Sequence, residues 1–254
     1  MAALLELKDL VKRFQSFTAV NGISLSVPAG EVLGFLGPNG AGKSTTMKMA
    51  TGFLEPDEGS AFICGVDVHA NPREARRQLG YLPEGAPAYG EMPVQSFLKF
   101  CAAMRGLSGS EARAAIDKAV GRTELGGVLE QPIETMSKGF KRRVGLAQAI
   151  LHEPPVLILD EPTDGLDPNQ KHQVRELIVD MARGRAIVIS THILEEVDAV
   201  CTRAVIIDRG RIVADGTADE LRKLAPGKSK SLDEAFRAVT AGGAGAKAQE
   251  AANV

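Results

Sequence analysis

The chain has 254 residues, 44% of them hydrophobic and 24% charged, with a formal net charge of −2. This length and composition are typical of a globular protein with a sizeable core and exclude a disordered or collagen-like chain. Because the charge is nearly balanced, the chain lacks the basic field of a nucleic-acid-binding protein, and no nucleic-acid partner is expected.

Cysteines and apolar runs indicate the compartment. The cysteines are odd in number, widely spaced and set in apolar stretches; they are Cys64, Cys101 and Cys201. This pattern predicts reduced thiols in a cytosolic protein rather than a metal or redox site. Charged residues interrupt the first ten positions, where a signal peptide would be apolar. No apolar run approaches the roughly 18 residues of a membrane-spanning helix, so any membrane role is expected to come through a partner.

Strands are predicted first along the chain. Apolar and polar residues alternate up to about residue 30, with turn signals between the runs, which predicts antiparallel strands. A continuous apolar strand follows from Val32 to Leu36. After a glycine-rich turn, a helix is predicted from Lys43 to about Gly52.

A helical period dominates the middle of the chain. It runs from Met92 to Gly121, where Ser110 is expected to cap a second helix. A further helix is predicted from about Gly139 to His152, ended by a pair of prolines that disfavour helix in the residue before them. These helices form a predicted insertion at about residues 85–152.

Strands and helices then alternate again. Short apolar runs at residues 156–159, 186–190 and 204–208 are separated by helical segments at 169–182 and 194–200. Buried parallel strands with crossover helices are typical of this pattern.

The C-terminal residues are predicted to lie outside the main domain, which covers residues 1–224. A short amphipathic helix is expected within residues 225–240, with an apolar face formed by Leu232, Ala235, Phe236 and Val239. Residues 241–254 are mostly alanine and glycine and are predicted to be a flexible tail.

A glycine-rich motif is the first indication of function. Residues 37–44 fit the phosphate-binding loop pattern and lie between a predicted strand and a predicted helix, as that loop requires. Glycines let successive backbone N–H groups point at phosphates, and the following helix presents its positive end. Lys43 is expected to bridge the β- and γ-phosphates, and Ser44 to bind Mg²⁺. The residues expected to contact nucleotide are Gly37, Pro38, Asn39, Gly40, Ala41, Gly42, Lys43, Ser44 and Thr45.

A pair of carboxylates ends a later apolar run. Asp160 and Glu161 follow residues 156–159, and open α/β sheets bind ligands at the carboxyl ends of their strands. Asp160 is expected to hold Mg²⁺ and Glu161 to act as general base on the attacking water. The alternative is that both carboxylates cap the next helix. The combined pattern predicts an α/β fold, namely a P-loop NTPase core with a mostly parallel sheet, an N-terminal antiparallel β subdomain and an inserted α-helical subdomain.

The stretch from Ser137 to Gln148 makes the likeness more specific. With the two motifs above it resembles the signature helix of the ABC ATPase family, although Lys138 replaces the usual glycine. The resemblance implies that the backbone amides of Ser137 and Gly139, at a helix N-terminus, cap the γ-phosphate of ATP bound to the opposite subunit. Because these residues lie in a different subdomain from Lys43, the resemblance implies a homodimer with two composite ATP sites.

Three further elements match the same family in order. The loop from Asp164 to Asp167 resembles the one that contacts the other subunit, so Asp167 is expected at the composite site. His192 resembles the family's switch histidine, which hydrogen-bonds the γ-phosphate. Phe14 resembles the aromatic residue that stacks on adenine; Phe17 is the alternative, unless both phenylalanines belong to the core.

Glu84 occupies the place where the family usually has a glutamine that contacts Mg²⁺. A carboxylate also binds Mg²⁺, so Glu84 is expected to be a ligand together with Ser44 and Asp160. Glutamate-bearing members resemble the ABC-2 type exporters, and the chain resembles the gliding-motility-associated branch among them. The resemblance covers roughly residues 4–224 and implies an ATPase that powers export through ATP-driven closure and opening of the dimer.

A membrane partner is implied by the same resemblance. It places the chain in the cytoplasm, peripheral on the cytoplasmic face of the cell membrane, beside an integral membrane permease subunit. The groove near Glu84 to Arg105, with Tyr89, Met92 and Phe97, is where a cytoplasmic helix of that subunit is expected to dock. The alternative is that Met92 and Phe97 are simply core residues.

Two other functions remain compatible with the motifs. One is a soluble ABC-type ATPase that remodels a ribosome, DNA or a division complex; the other is a module that holds ATP without hydrolysing it. A single set of motifs without a heptad run argues against the first. The presence of Glu161 and His192 argues against the second.

Overall fold

The computed structural model describes residues 3–226 and 231–240. The strands, in chain order, are β1 Ala3–Phe14, β2 Phe17–Pro28, β3 Val32–Leu36, β4 Glu58–Ile63, β5 Val66–Asp67, β6 Leu79–Leu82, β7 Val156–Asp160, β8 Ala186–Thr191, β9 Arg203–Asp208 and β10 Arg211–Gly216. The helices are α1 Lys43–Ala50, α2 Pro72–Arg77, α3 Val94–Met104, α4 Gly109–Arg122, α5 Lys138–Ile150, α6 Pro168–Met181, α7 Leu194–Val200, α8 Ala218–Arg222 and α9 at residues 232–240.

The expected antiparallel sheet lies at the N-terminus. Its strand order is β2-β1-β4-β5, and each neighbouring pair is antiparallel. In β2, Ile23, Leu25 and Val27 are buried and the serines between them are exposed, so one face of the strand packs on the core. The predicted alternation is therefore confirmed. The sequence did not predict β4 and β5, which extend this sheet on the other side of β1.

The second sheet is mostly parallel and positions the site. Its order is β10-β9-β3-β8-β7-β6, and only the β10–β9 pair is antiparallel. Every residue of β3, β7 and β8 is buried, which accounts for their unbroken apolar sequences. Since β6, β7, β8 and β3 are parallel neighbours, the loops that follow them meet at one edge of the sheet. The predicted α/β fold is confirmed.

The helical insertion contains α3, α4 and α5, which pack around a shared apolar cluster. Ser110 does not cap α4, contrary to the prediction. The helix begins at Gly109, and the residue before it is Ser108, whose backbone is extended. Gly109 has a φ of 57°, a conformation that glycine adopts without strain, and the chain turns into the helix two residues earlier than predicted. Ser110 consequently lies inside the first turn.

The C-terminal helices α8 and α9 pack against β3 and β9 of the parallel sheet and against α7. Leu232 is buried in a small cluster with Leu36 and Leu221, and Phe236 and Val239 pack against it. The predicted tail at residues 241–254 lies outside the described residues. Within residues 3–226 and 231–240, no helix combines the length and the hydrophobicity needed to cross a bilayer.

Candidate active site

The loop after β3 adopts its shape because of its glycines. A Cβ at Gly37 would lie 2.6 Å from the carbonyl oxygen of Ile207, so a side chain is sterically excluded there. Gly42 has a φ of 106° and packs against the carbonyl of Ala19, which makes glycine necessary for two reasons. This backbone leads directly into α1, whose first N–H groups have no partner within the helix. The loop is therefore shaped to receive an anion.

Lys43 is the first residue of α1, directly after this loop, and is almost fully buried. Its Nζ donates hydrogen bonds to the carbonyl oxygens of Gly37 at 2.6 Å and Pro38 at 3.1 Å. Burial lowers the pKa of Lys43, while the nearby carboxylates of Glu161 and Asp160 oppose that shift. The ammonium group thus points into the loop, where a phosphate oxygen can replace a carbonyl partner.

Asp160, the last residue of β7, and Glu161, the residue after it, differ in backbone conformation and in electrostatic environment. Asp160 is buried, and burial raises its pKa, with Glu84 and Glu161 adding repulsion. Glu161 has a φ of 49°, which is uncommon for a residue with a side chain and is found mostly where surrounding structure enforces it. Its backbone N–H donates to the carbonyl of Ser190 at 2.8 Å, which holds this conformation against β8.

His192 follows β8 and reaches the same point. Its Nδ1 lies 2.8 Å from Oε1 of Glu161, within hydrogen-bonding distance. Because β7 and β8 are adjacent parallel strands, the sheet itself brings these two side chains together. The pair has the geometry of a base held in place by an imidazole.

A cavity of about 270 Å³ lies between the phosphate-binding loop and the carboxylates Glu84, Asp160 and Glu161. Its lining residues are Phe14, Phe17, Ala19, Asn39, Gly40, Gly42, Lys43, Ser44, Thr45, Glu84, Asp160 and Glu161. Phe14 and Phe17 face each other at the tip of the β1–β2 hairpin, and both are largely exposed. Neither phenylalanine is therefore a core residue, and both border the space where a base would stack.

Seven of the predicted nucleotide contacts are not among the residues that line this cavity: Gly37, Pro38 and Ala41 of the phosphate-binding loop, His192 beside Glu161, and the more distant Ser137, Gly139 and Asp167. Ser137 caps α5, since its Oγ accepts a hydrogen bond from the N–H of Phe140 at 3.3 Å. Gly139 is packed so closely against Gly165 and its surroundings that a Cβ would lie 3.1 Å from the Gly165 carbonyl oxygen. Asp167 caps α6 and forms a capping box there. Ser137, Gly139 and Asp167 thus lie at the N-termini of α5 and α6, outside the cavity around Lys43.

Sequence patterns assigned no role to Arg142. Two arginines stand side by side in α5, and nothing in the pattern distinguishes them. In the structure Arg142 contacts the loops that carry Glu84 and Glu161, whereas Arg143 contacts Thr123 and Glu124 in the helical insertion.

These features define a class of protein. A phosphate-binding loop between β3 and α1, with paired carboxylates at the end of the parallel strand β7, is the site of a P-loop nucleoside triphosphatase. The sequence profile of one family, described as ABC transporter, matches residues 20–164. The chain belongs to the ABC transporter family.

Individual relatives agree with this assignment. Nod factor export ATP-binding protein I of Burkholderia orbicola (strain AU 1054) is 38% identical over 220 residues, which cover 86% of this chain and 72% of the relative. A solved structure of an ATP binding subunit of an ABC transporter is 35% identical, covers 93% of this chain and 99% of its own, and has a TM-score of 0.86. The structure of cbiO1 from Clostridium perfringens, part of the ABC transporter complex cbiONQ, is 28% identical with a TM-score of 0.77, covering 91% and 97%. The chain is an ATP-binding subunit and an ATPase of this family.

Proposed function

We propose that the chain powers an ABC-2 type membrane exporter by ATP-driven closure and opening of a homodimer. The observation that carries this proposal is the separation of the two predicted halves of the site. Lys43, Glu161 and His192 gather at one edge of the sheet, whereas Ser137 and Gly139 lie outside the cavity around Lys43. A second copy of the chain is the natural source of the missing phosphate contacts.

Within one chain, the proposed hydrolysis uses Glu161 as the general base. The oxygen of a water molecule attacks the γ-phosphorus of ATP, the bond from that phosphorus to the bridging oxygen of ADP breaks, and a water proton passes to Glu161. His192 contacts the Glu161 carboxylate at Oε1. In this mechanism it also donates a hydrogen bond to the γ-phosphate. Lys43 neutralises charge on the β- and γ-phosphates. The products are ADP and inorganic phosphate.

Mg²⁺ is the proposed metal, held by Ser44, Glu84 and Asp160. These residues offer only oxygen ligands and line one cavity, which suits a hard divalent cation. The raised pKa of Asp160, caused by burial and then by repulsion from Glu84 and Glu161, supports the fit because a bound cation would relieve that repulsion. When bound, Mg²⁺ supplies charge neutralisation for the phosphates.

The remaining predicted contacts complete the proposed composite site. Phe14 or Phe17 stacks on adenine, and the N-terminus of α5, at Ser137 and Gly139, caps the γ-phosphate held by the partner. Asp167 lies in the loop that contacts the other subunit. ATP then joins the two copies through contacts that hydrolysis removes, and this difference between two states drives the cycle.

A surface groove supports a membrane partner. A cavity of about 940 Å³ is bordered by exposed Phe53 and Met104 and by a set of arginines, namely Arg73, Arg76, Arg77 and Arg105. Of the three side chains predicted at the docking groove, Phe97 lines this cavity, whereas Tyr89 and Met92 do not. Tyr89 is exposed and packs edge-on against Phe97, which is buried. Phe97 is thus a core residue, as the alternative held. We place the permease subunit against this groove, which makes the chain peripheral on the cytoplasmic face of the membrane.

The test compares the wild-type chain with Glu161→Gln, and with Glu176→Gln, an exposed glutamate of α6, as control. ATP turnover and ATP-dependent dimerisation are measured, the latter by light scattering during size-exclusion chromatography. We expect the wild type and the control to hydrolyse ATP, and Glu161→Gln to accumulate as an ATP-bound dimer. A wild-type chain that stays monomeric with ATP and Mg²⁺ and a Glu161→Gln variant that turns over normally would contradict the proposal.

A further inference from the structure

Arg142 is an almost fully buried charge in the second turn of α5. Only 3% of its surface is exposed, and its guanidinium group donates to backbone carbonyls at the ends of β6 and β7. Burying an arginine is costly unless its donors find acceptors, so its partners indicate what the residue does.

Those partners come from loops that carry the active-site carboxylates. Nη1 of Arg142 donates to the carbonyl oxygen of Pro83 at 3.1 Å and to that of Asp160 at 3.2 Å. Pro83 immediately precedes Glu84, and Asp160 immediately precedes Glu161. One nitrogen therefore joins the ends of β6 and β7 at the positions from which both carboxylates project.

The other end of the guanidinium faces the next loop. Nη2 lies 3.7 Å from Oδ2 of Asp164, and the same oxygen accepts Lys138 at 2.7 Å. Asp164 lies in the segment that leads to Asp167. The planar guanidinium group is suited to such multiple contacts because its donors have fixed directions.

The bonds cross between two parts of the fold. The helix α5 belongs to the helical insertion with α3 and α4, and it also packs on β6 and β7 of the parallel sheet, because residues of all these elements share one apolar cluster. Ser137, at the start of α5, is the proposed contact to the partner's ATP. The chain contributes Ser137 to the proposed ATP site of its partner, and Glu84 and Glu161 to its own proposed ATP site. The contact from α5 to the Glu84 and Glu161 loops therefore links these two sites.

We propose that Arg142 is a positioning residue that sets the Glu84 and Glu161 loops relative to α5. It acts through the backbone to which those carboxylates are attached. The inference rests on the proposed function, because the positioned groups are the general base and a metal ligand of that reaction. A displacement of about 1 Å in a catalytic group can cost roughly a hundredfold in rate, so small changes here matter.

Arg143 provides a matched control. It is the next residue of the same helix and is also buried, but it contacts Thr123 and Glu124 and stacks over Phe140. Its loss should destabilise the helical insertion without moving either carboxylate loop. If the buried arginines of α5 served only to stabilise the fold, substituting Arg142 and substituting Arg143 would change kcat to a similar extent.

The experiment measures kcat, the ATP dissociation constant and the thermal unfolding midpoint for Arg142→Gln, Arg142→Lys and Arg143→Gln in the full chain. We expect Arg142→Gln to lower kcat by about tenfold or more while the ATP dissociation constant changes by less than about threefold. Arg142→Lys, which keeps the charge, should lie between Arg142→Gln and the wild type. Arg143→Gln should keep kcat within about threefold of the wild type even where its unfolding midpoint falls.

Two results would overturn the inference. One is a folded Arg142→Gln variant with kcat within about twofold of the wild type; the other is an equal loss of kcat in Arg143→Gln. If Arg142→Gln does not fold, Arg142→Lys is judged by the same twofold limit. A wild-type chain without ATPase activity would instead contradict the proposed function, so the two failures are distinguishable.

Discussion

Oε1 of Glu161 lies 2.8 Å from Nδ1 of His192, although the two residues are 31 positions apart in the chain. The contact depends on the pairing of β7 with β8, which places the residues after both strands side by side. Glu161 is further held in a left-handed backbone conformation by its N–H bond to Ser190. The candidate base is thus fixed by its backbone and by its side chain.

Replacing the imidazole should affect hydrolysis rather than binding. We expect His192→Ala to lower kcat by about 10- to 100-fold, because Glu161 loses the group that orients it. ATP affinity should change by less than about threefold, since the phosphate loop is untouched. His172→Ala, an exposed histidine of α6 paired with Glu176, is the control for steady-state kinetics and should match the wild type. Equal losses in both variants would contradict the assignment of His192.

Neutralising Glu84 should strengthen ATP binding in the absence of Mg²⁺ and raise the Mg²⁺ concentration that ATPase activity requires. Without Mg²⁺, we expect Glu84→Gln to bind ATP about two- to fourfold more tightly at low salt, because one negative charge beside the triphosphate is removed. With Mg²⁺, a higher metal concentration should be needed for half-maximal ATPase activity, since a charged ligand is lost. Fluorescence titration in EDTA and a Mg²⁺ titration of ATPase activity measure the two effects. Glu91→Gln, an exposed neighbour outside the cavity, should show neither.

Asp160 should reduce the stability of the chain at neutral pH when no nucleotide or metal is bound. Burial, and then Glu84 and Glu161, raise its pKa above the ordinary value of 3.8, so the folded chain binds this proton more tightly than the unfolded chain. Its contribution to stability therefore falls as pH rises from the unfolded pKa through the folded one. We expect Asp160→Asn to raise the unfolding midpoint in EDTA at neutral pH, and this gain to shrink toward about pH 3. Thermal denaturation at several pH values measures this rise in the unfolding midpoint. The control is Asp117→Asn, at an exposed position in α4, which should not raise the midpoint.

Two glycines should respond in opposite ways to alanine. A Cβ at Gly80 would lie 2.2 Å from the carbonyl oxygen of Ala149, so Gly80→Ala must push β6 away from α5. We expect a loss of about 2–4 kcal/mol in the free energy of unfolding, within the range of overpacking and strain effects. Gly121, inside α4, has no atom within 4 Å of its Cβ position, and Gly121→Ala should stabilise by about 0.5–1 kcal/mol. Urea denaturation of both variants measures the difference, and a stable Gly80→Ala variant would contradict the packing argument.

Sequence patterns predicted the elements whose signal is local. The strands β3, β7 and β8 appear as unbroken apolar runs because both faces of each strand are buried. The strands β4 and β10 were missed because neither contains a run of buried apolar residues: β4 begins with two exposed residues, and no residue of β10 is buried. The start of α4 was placed wrongly because Gly109 can adopt a backbone conformation that ordinary capping rules do not anticipate.

The amino-acid sequence by itself determined the phosphate-binding loop, the carboxylate pair after a buried strand, and the histidine after the next. Each depends on residues that are neighbours in the chain. Their local conformation can be predicted from glycine content, apolar runs and short motifs. Only the tertiary structure decided that His192 contacts Glu161, that Phe97 is buried while Phe53 is exposed, and that Arg142 rather than Arg143 reaches both carboxylate loops. Those contacts join segments that are far apart in the sequence. They depend on the order of the strands in the sheet and on which face of α5 packs against the sheet.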